Sequence, residues 1–136
     1  MTRGLKIYAA CLAVIALIII GSVLYQPAKV RQLNALIERS TELDSYPYPF
    51  RVLKVEGVTA VISSPRSASV GVPMMIKAID PTLEGVSIDD PRFEAAQKSL
   101  AEHQALAQQI VLSDAEITRV QWELDEGWLR ARGVGF

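Results

Sequence analysis

The chain has 136 residues, of which 50% are hydrophobic and 21% charged, and its formal net charge is −1. This length suits one small domain, and 14 Lys+Arg against 15 Asp+Glu leave no basic surface of the kind that nucleic acid requires. One cysteine and one histidine exclude an internal disulfide framework and a cysteine-based or multi-histidine metal site. We therefore expect no metal, no cofactor and no nucleic-acid partner.

An uncharged segment begins after Lys6 and ends before Lys29, and within it residues 7–25 are almost wholly apolar. At about 1.5 Å per residue, a helix over this run spans roughly 30 Å, the thickness of the hydrocarbon core of a bilayer. Tyr8 and Tyr25 lie near its two ends, where aromatic rings favour the membrane–water interface. The pattern predicts a transmembrane helix over residues 7–25.

A cleaved signal peptide is the alternative, but its apolar region would be shorter, about 7–15 residues, and would end at a small-x-small site. The best candidate site, after Ala28, has Gln26 at the −3 position. Basic residues on the two sides of the span nearly balance, so the short head over residues 1–6 decides the orientation. We predict a cytoplasmic head and, in a bacterium, a periplasmic tail, in a single-pass protein of the inner (plasma) membrane.

A juxtamembrane helix is predicted over Pro27–Leu43, because its apolar side chains fall in one helical stripe. It either continues the membrane helix with a kink or leaves it at an angle. Residues 46–49 then alternate tyrosine with proline, which forces extended geometry and ends the helix. We interpret residues 26–49 as a juxtamembrane helix and a stiff linker whose aromatics pack on the domain. The alternative is a docking strip for a partner, formed by Tyr46 and Tyr48.

Residues 50–136 have the composition of a small α+β domain. Hydrophobic alternation over residues 50–63 predicts β structure, with a hairpin turn or a bulged bend at Gly57. Residues 74–79 are a further short strand candidate. Two proline-bounded polar stretches between these elements and the next helix are expected to be loops.

Asp90 precedes Pro91, which is a favourable helix start, and no glycine or further proline interrupts residues 92–112. We predict a helix of about 20 residues there. Residues 117–125 alternate in a strand pattern, although a capping-box sequence keeps a helix open as the alternative. The tail is expected to form a short helical turn that stops at Gly133. The predicted domain is a 3–4-stranded antiparallel sheet packed on one long helix.

No catalytic constellation emerges from the residue types present. His103 falls in the middle of the predicted long helix, which is a poor position for a base that activates a nucleophile. Asp89 and Asp90 are interpreted as capping residues, and Asp125 and Glu126 as turn residues. We therefore predict that the protein is not an enzyme and name no catalytic residue.

The layout resembles, in arrangement only, that of the bitopic inner-membrane assembly proteins of pilus and type II secretion machines. We expect an accessory or scaffold subunit of a membrane or envelope complex that acts by protein–protein contact. Its partners would be the bilayer and other membrane or periplasmic proteins, or a second copy of the chain. A membrane-tethered sensory or ligand-binding module is the alternative, and a small envelope enzyme a weaker one. The candidate interaction residues are small side chains of the membrane helix and aromatic side chains outside it: Ala9, Ala13, Ala16, Gly21, Tyr46, Tyr48 and Trp128.

Overall fold

The computed structural model describes residues 2–68 and 70–135, apart from the side chains of residues 22–26. The predicted interfacial ring of Tyr25 and the terminal Phe136 therefore lie outside the described residues. The elements in chain order are helix α1 (Arg3–Glu38), helix α2 (Thr41–Asp44), strands β1 (Val52–Glu56) and β2 (Thr59–Ser64), helix α3 (Val72–Ile79), a 3₁₀ turn (Pro81–Leu83), helix α4 (Pro91–Leu112), strand β3 (Arg119–Leu124) and helix α5 (Glu126–Ala131).

Helix α1 is a single helix of 36 residues that passes through Pro27 without ending. Of the two arrangements expected after the apolar run, continuation of the same helix is the one observed. The predicted end at Leu43 was wrong, because α1 ends at Glu38 and Thr41–Asp44 form the separate helix α2. One stretch of it, Arg3–Gly21, is long and apolar enough to cross a membrane by length and composition, and none of that stretch is buried in the protein. The helix is therefore compatible with a single-pass membrane protein. This evidence is weak, because a signal sequence has the same length and composition.

The last third of α1 packs into the domain. Leu33 and Ile37 are buried in the hydrophobic core. The side chain of Asn34 bonds both backbone groups of Val52: its Oδ1 accepts from the Val52 N–H at 2.7 Å, and its Nδ2 donates to the Val52 carbonyl at 3.0 Å. These bonds join α1 to the start of β1. Leu43 and Tyr48 complete the contribution of residues before position 50 to the core.

The three strands form a mixed sheet in the order β1-β2-β3. β1 and β2 are an antiparallel hairpin that turns at Gly57, whose φ of +61° suits glycine. β3 lies parallel to β2, with Thr59 opposite Arg119 and Ser64 opposite Leu124. The prediction of an antiparallel sheet was therefore wrong for β3. Parallel strands need a crossover connection, and α3, the 3₁₀ turn and α4 provide it.

The strand predicted over residues 74–79 is a helix, α3. Pro73 lies in its first turn, where the missing N–H costs nothing. Met75, Ile76 and Ile79 form its buried face, at the spacing of one side of a helix. A run of six mostly apolar residues has the same composition as a buried strand, and the packing of this face against the core decides in favour of the helix.

The remaining predicted elements of the α+β domain are confirmed. α4 begins at Pro91 and has 22 residues, and the Asp90 carboxylate accepts from the Arg92 N–H at 2.9 Å as its cap. Residues 119–124 are the strand β3 rather than a helix. α5 ends before Gly133, whose φ is +77°, and the Val134 N–H donates to the Leu129 carbonyl at 3.0 Å to close the turn.

Candidate functional site

The small residues predicted to form a helix–helix contact are all exposed on α1. Ala9, Ala13 and Ala16 are spaced so that, at about 100° per residue, they share one face of the helix, whereas Gly21 lies roughly 120° around it. A Cβ added at Gly21 would meet no atom of the described chain within 4 Å. This stretch of α1 therefore presents its side chains outward rather than to the domain.

The aromatic residues predicted as contacts come together in one row. The ring of Trp128 lies edge-on to Tyr48, with centroids 4.9 Å apart, and Tyr48 lies edge-on to Phe50 at 4.8 Å. Phe50 is 6.0 Å from Tyr46, which in turn stacks on His103 at 4.0 Å. Such contacts stabilise a domain beyond the area they bury. The aromatic row, Trp128-Tyr48-Phe50-Tyr46-His103, thus links α5 to α4 through the Pro/Tyr segment.

Asp125 lies at the Trp128–Tyr48 end of this row. The sequence predicted only a turn residue at this position. Its Oδ2 accepts from the Tyr48 hydroxyl at 3.0 Å and from Nη1 of Arg51 at 3.1 Å, and its Oδ1 caps α5 by accepting from the Trp128 N–H at 3.2 Å. Burial raises the pKa of the Tyr48 hydroxyl, and the Asp125 charge adds to that effect. Because Tyr48 is fully buried, it offers no surface to a partner.

A groove of about 570 Å³ opens between α3, the 3₁₀ turn and the first half of α4. Its floor is apolar, and small alanine side chains on α4 leave room for it. We call it the α3–α4 groove, and its lining residues are Tyr46, Pro47, Ile76, Ile79, Asp80, Pro81, Thr82, Leu83, Arg92, Ala95, Ala96 and Ser99.

The charged side chains that line this groove, Arg92 and Asp80, each have a hydrogen-bond partner within the chain. The guanidinium of Arg92 bonds both carboxylate oxygens of Asp90, at 3.0 and 3.1 Å. Hydrogen bonding by Arg92 lowers the pKa of Asp90, and the carboxylate raises that of Arg92. Asp80 accepts from the backbone and hydroxyl of Thr82, which starts the 3₁₀ turn. The groove therefore has an apolar floor and a polar rim, which is the arrangement of a protein interface. It suits a partner that presents apolar side chains.

Ser99 and His103 lie one helical turn apart at the edge of this groove but do not form a nucleophile–base pair. Nδ1 of His103 is 2.6 Å from the backbone carbonyl of Ser99 and 3.4 Å from its hydroxyl. A carbonyl oxygen only accepts, so the shorter contact is a hydrogen bond only in the tautomer whose proton is on Nδ1, and in that tautomer Nδ1 does not accept from the hydroxyl. Within residues 2–68 and 70–135, no group of three or more acidic, histidine or cysteine side chains is placed to hold a metal ion.

Tyr46 is the wall between the groove and a second depression of about 310 Å³ beside the end of α1. Its burial raises the pKa of the hydroxyl to about 12. One face of its ring is covered by His103. Of the predicted contact residues outside α1, Tyr46 is the one that lines the groove.

A cluster of charges where α1 enters the domain was not foreseen from the sequence. The Lys29 ammonium lies 2.7 Å from Oδ2 of Asp114 and 3.1 Å from Oε2 of Glu116. We call these three residues the juxtamembrane clamp. Hydrogen bonding between Lys29 and Asp114 raises the pKa of the lysine and lowers that of the aspartate. The residues around Lys29 do not indicate this cluster, because a lysine at this position resembles an ordinary charge flanking a membrane helix.

The chain matches no protein-family model, no curated protein and no solved structure. Its function is therefore inferred from the geometry of α1, the juxtamembrane clamp and the α3–α4 groove.

Proposed function

We propose that this protein is a single-pass, membrane-anchored accessory or scaffold subunit of a membrane or envelope complex, and that it acts by protein–protein contact. The observation that carries the proposal is the continuity of α1. One helix of 36 residues has an exposed apolar stretch at one end and buried core residues at the other. A domain attached in this way has no flexible linker.

The juxtamembrane clamp supports the same proposal, since it joins α1 to the far end of α4. Lys29 lies in the first turn of α1 to be covered by the domain, and Asp114 follows the end of α4. A hinge at this point would let the domain rotate freely above the membrane. The ion pair opposes that rotation and holds the domain at a fixed orientation, which is what a positional subunit requires.

The α3–α4 groove is the contact site that we assign to a partner protein. Its apolar floor and self-paired Arg92–Asp90 rim match the composition of interfaces, in which aromatic and arginine side chains carry much of the binding energy. The groove lies on the half of α4 that is remote from the clamp. A partner bound there would be held away from the bilayer, on the side that we propose to be extracytoplasmic.

A ligand-binding module is the second candidate function, and the size of the groove favours it. A volume of about 570 Å³ falls within the range of about 300–1,000 Å³ typical of small-molecule sites. The two methionines of α3 do not line the groove, since Met75 is part of the core and Met74 is exposed elsewhere on α3.

The test is a mild-detergent purification of the full chain from its native membrane, followed by mass spectrometry of what remains bound. Ala95→Trp fills the groove from an exposed position of α4, and Ala105→Trp is the matched control on the same helix. A stoichiometric set of proteins that Ala95→Trp loses and Ala105→Trp keeps supports the scaffold proposal. Recovery of the chain alone contradicts it, and a small molecule retained by the control and lost by Ala95→Trp favours the ligand-binding module.

A further inference from the structure

The distance from the hydrocarbon core of the bilayer to the point where α1 enters the domain follows from the number of residues between them. Lys29 follows the end of the predicted span by four residues, which is about 6 Å of helix. The polar layer on each side of a bilayer is roughly 5–8 Å thick, since the total is about 40–45 Å around a core of about 30 Å. In a membrane-inserted chain, Lys29 therefore lies close to the outer limit of the headgroup layer.

Two other parts of the domain are held at the same level as Lys29. Asp114 and Glu116 bond its ammonium directly. Two residues further on, the Thr118 N–H donates to the carbonyl of Val58 at 2.9 Å, which attaches the β1–β2 turn to the same place. We call the turn residues 57–58 and residues 114–119, which lead from the end of α4 to the first residue of β3, the membrane-facing rim.

The opposite end of the domain is equally well defined. Tyr46, which follows α2, stacks on His103 in the middle of α4, while Asp114 beyond the end of α4 meets Lys29. α4 thus runs back along α1 toward the bilayer. Its 22 residues amount to about 33 Å, so the exposed Ile88 ahead of α4 lies far from the rim.

Two side chains of the rim, Val58 and Arg119, suit a lipid surface. Val58 is an apolar residue in a turn, where polar residues and glycine are usual, and it is 50% exposed. Arg119 is exposed beside it, and its N–H donates to the same Val58 carbonyl at 3.2 Å. An apolar side chain at the tip, which can enter the headgroup layer, and an arginine next to it, which can meet lipid phosphates, match the surface of a bilayer.

We propose that the membrane-facing rim rests on the bilayer, with Val58 in the headgroup layer and Arg119 against lipid phosphates. This contact would set the tilt of the domain in addition to the juxtamembrane clamp. The inference rests on the proposed function, because it requires α1 to be in a bilayer.

The test uses the full chain in nanodiscs, with Cys11→Ser removing its one cysteine. An environment-sensitive fluorophore is attached at Val58→Cys in the rim, or at Ile88→Cys as the control, which is also exposed but lies at the far end. We expect headgroup spin-labelled lipid to quench the probe at 58 roughly twofold or more, and the probe at 88 little, because the length of α4 separates the two. Ala115→Cys, also exposed on the rim, gives the same test if Val58→Cys fails to fold.

A third probe, Leu12→Cys, separates this inference from the proposed function. It is exposed in the apolar stretch of α1, and lipid carrying a spin label in the acyl chain should quench it if α1 spans. Quenching at 12 without quenching at 58 and 115 would overturn the inference and leave membrane anchoring intact. Equal quenching at 58 and 88 would overturn it too, whereas absence of quenching at 12 would contradict the proposed function itself.

The role of Arg119 is tested by lipid composition. With Arg119 in place, replacing part of the phosphatidylcholine by phosphatidylglycerol should increase quenching at 58, because anionic headgroups attract exposed arginines. In Arg119→Gln this increase should disappear while the quenching in phosphatidylcholine remains. An increase that survives in Arg119→Gln would contradict the assigned phosphate contact.

Discussion

The ammonium nitrogen of Lys29 lies 2.7 Å from a carboxylate oxygen of Asp114, a residue 85 positions later in the chain. Both side chains are less than a tenth exposed. They line a shallow depression with Ala28, Gln32 and Ala115, so only a thin layer of protein covers them. The energy of this pair should therefore fall between that of a surface ion pair and that of a deeply buried one.

Asp114→Asn should destabilise the domain by about 1–2 kcal/mol, because the covered ammonium loses its closest countercharge. Urea unfolding of the full chain in detergent, followed by tryptophan fluorescence, measures the change. Glu116→Gln is the control, since the Glu116 side chain is 60% exposed, and its effect should be under about 0.5 kcal/mol. Equal losses of stability in the two variants would show that the burial of Asp114 does not strengthen its ion pair with Lys29.

The stability difference between the wild type and Asp114→Asn should depend on pH with a defined sign. The lowered pKa of Asp114 means that its contribution is present above the ordinary value of 3.8 and is lost as the pH falls through the folded pKa. The raised pKa of Lys29 means that its contribution is present below 10.5 and is lost at higher pH. We expect a constant difference between about pH 5 and 9 that narrows on both sides. A difference that grows on acidification would contradict the assignment.

Tyr48→Phe should destabilise the fold by about 1–2 kcal/mol, because it removes one donor from the buried Asp125 carboxylate and keeps the ring. Tyr46→Phe is the matched control. Its hydroxyl lies in a half-buried position, and its ring keeps the stack on His103, so its effect should be smaller. Chemical denaturation of both variants measures the comparison. The interpretation of Asp125 fails if Tyr48→Phe is as stable as the wild type.

Asn34→Ala should loosen the junction between α1 and β1, because it removes the partners of both backbone groups of Val52. We expect a loss of about 1–3 kcal/mol and faster hydrogen exchange at the Val52 amide. Gln32→Ala, on an exposed part of the same helix, should change neither. Unchanged exchange at Val52 in Asn34→Ala would indicate that the bond is not formed in solution.

Gly133→Ala should destabilise the end of α5 by about 1 kcal/mol, because a residue with a side chain is strained at a φ of +77°. Gly127→Ala is the control, since Gly127 lies within α5 and an added Cβ there meets no atom within 4 Å. Helix propensity makes this change neutral or slightly stabilising. The melting temperature should therefore fall in Gly133→Ala and should stay unchanged or rise slightly in Gly127→Ala. A fall in Gly127→Ala as large as that in Gly133→Ala would contradict the prediction.

Local sequence signals account for the elements that were predicted well. The Asp90-Pro91 start of α4 and the Gly133 stop of α5 depend on groups within a few residues, and the alternation of β3 is a property of its own six residues. Residues 74–79 lack such a signal, because a short apolar run is compatible with a strand or a helix until its neighbours are known.

The features that the sequence did not disclose depend on distant partners. Whether β3 lies parallel or antiparallel to β2 is decided by the path of α3 and α4 rather than by the strand itself. From its local sequence Asp125 resembles a turn residue. Its role as a buried hydrogen-bond acceptor depends on Tyr48 and Arg51, which lie more than 70 positions earlier in the chain. The groove likewise arises only where α3 and α4 meet. The candidate site was therefore less predictable than the fold.

The parallel pairing of β3 has a consequence for biosynthesis. Translation produces α1 first, then the β1–β2 hairpin, and β3 only after α3 and α4. Until Arg119–Leu124 has left the ribosome, β2 lacks its second neighbour, and the core lacks Ile117, Leu129 and Val134. A nascent chain stalled before that point carries an open strand next to unburied apolar groups, which are features that favour aggregation. Completion of the domain therefore waits for the emergence of β3, and quality-control proteases have an interval in which to remove chains that fail to reach it.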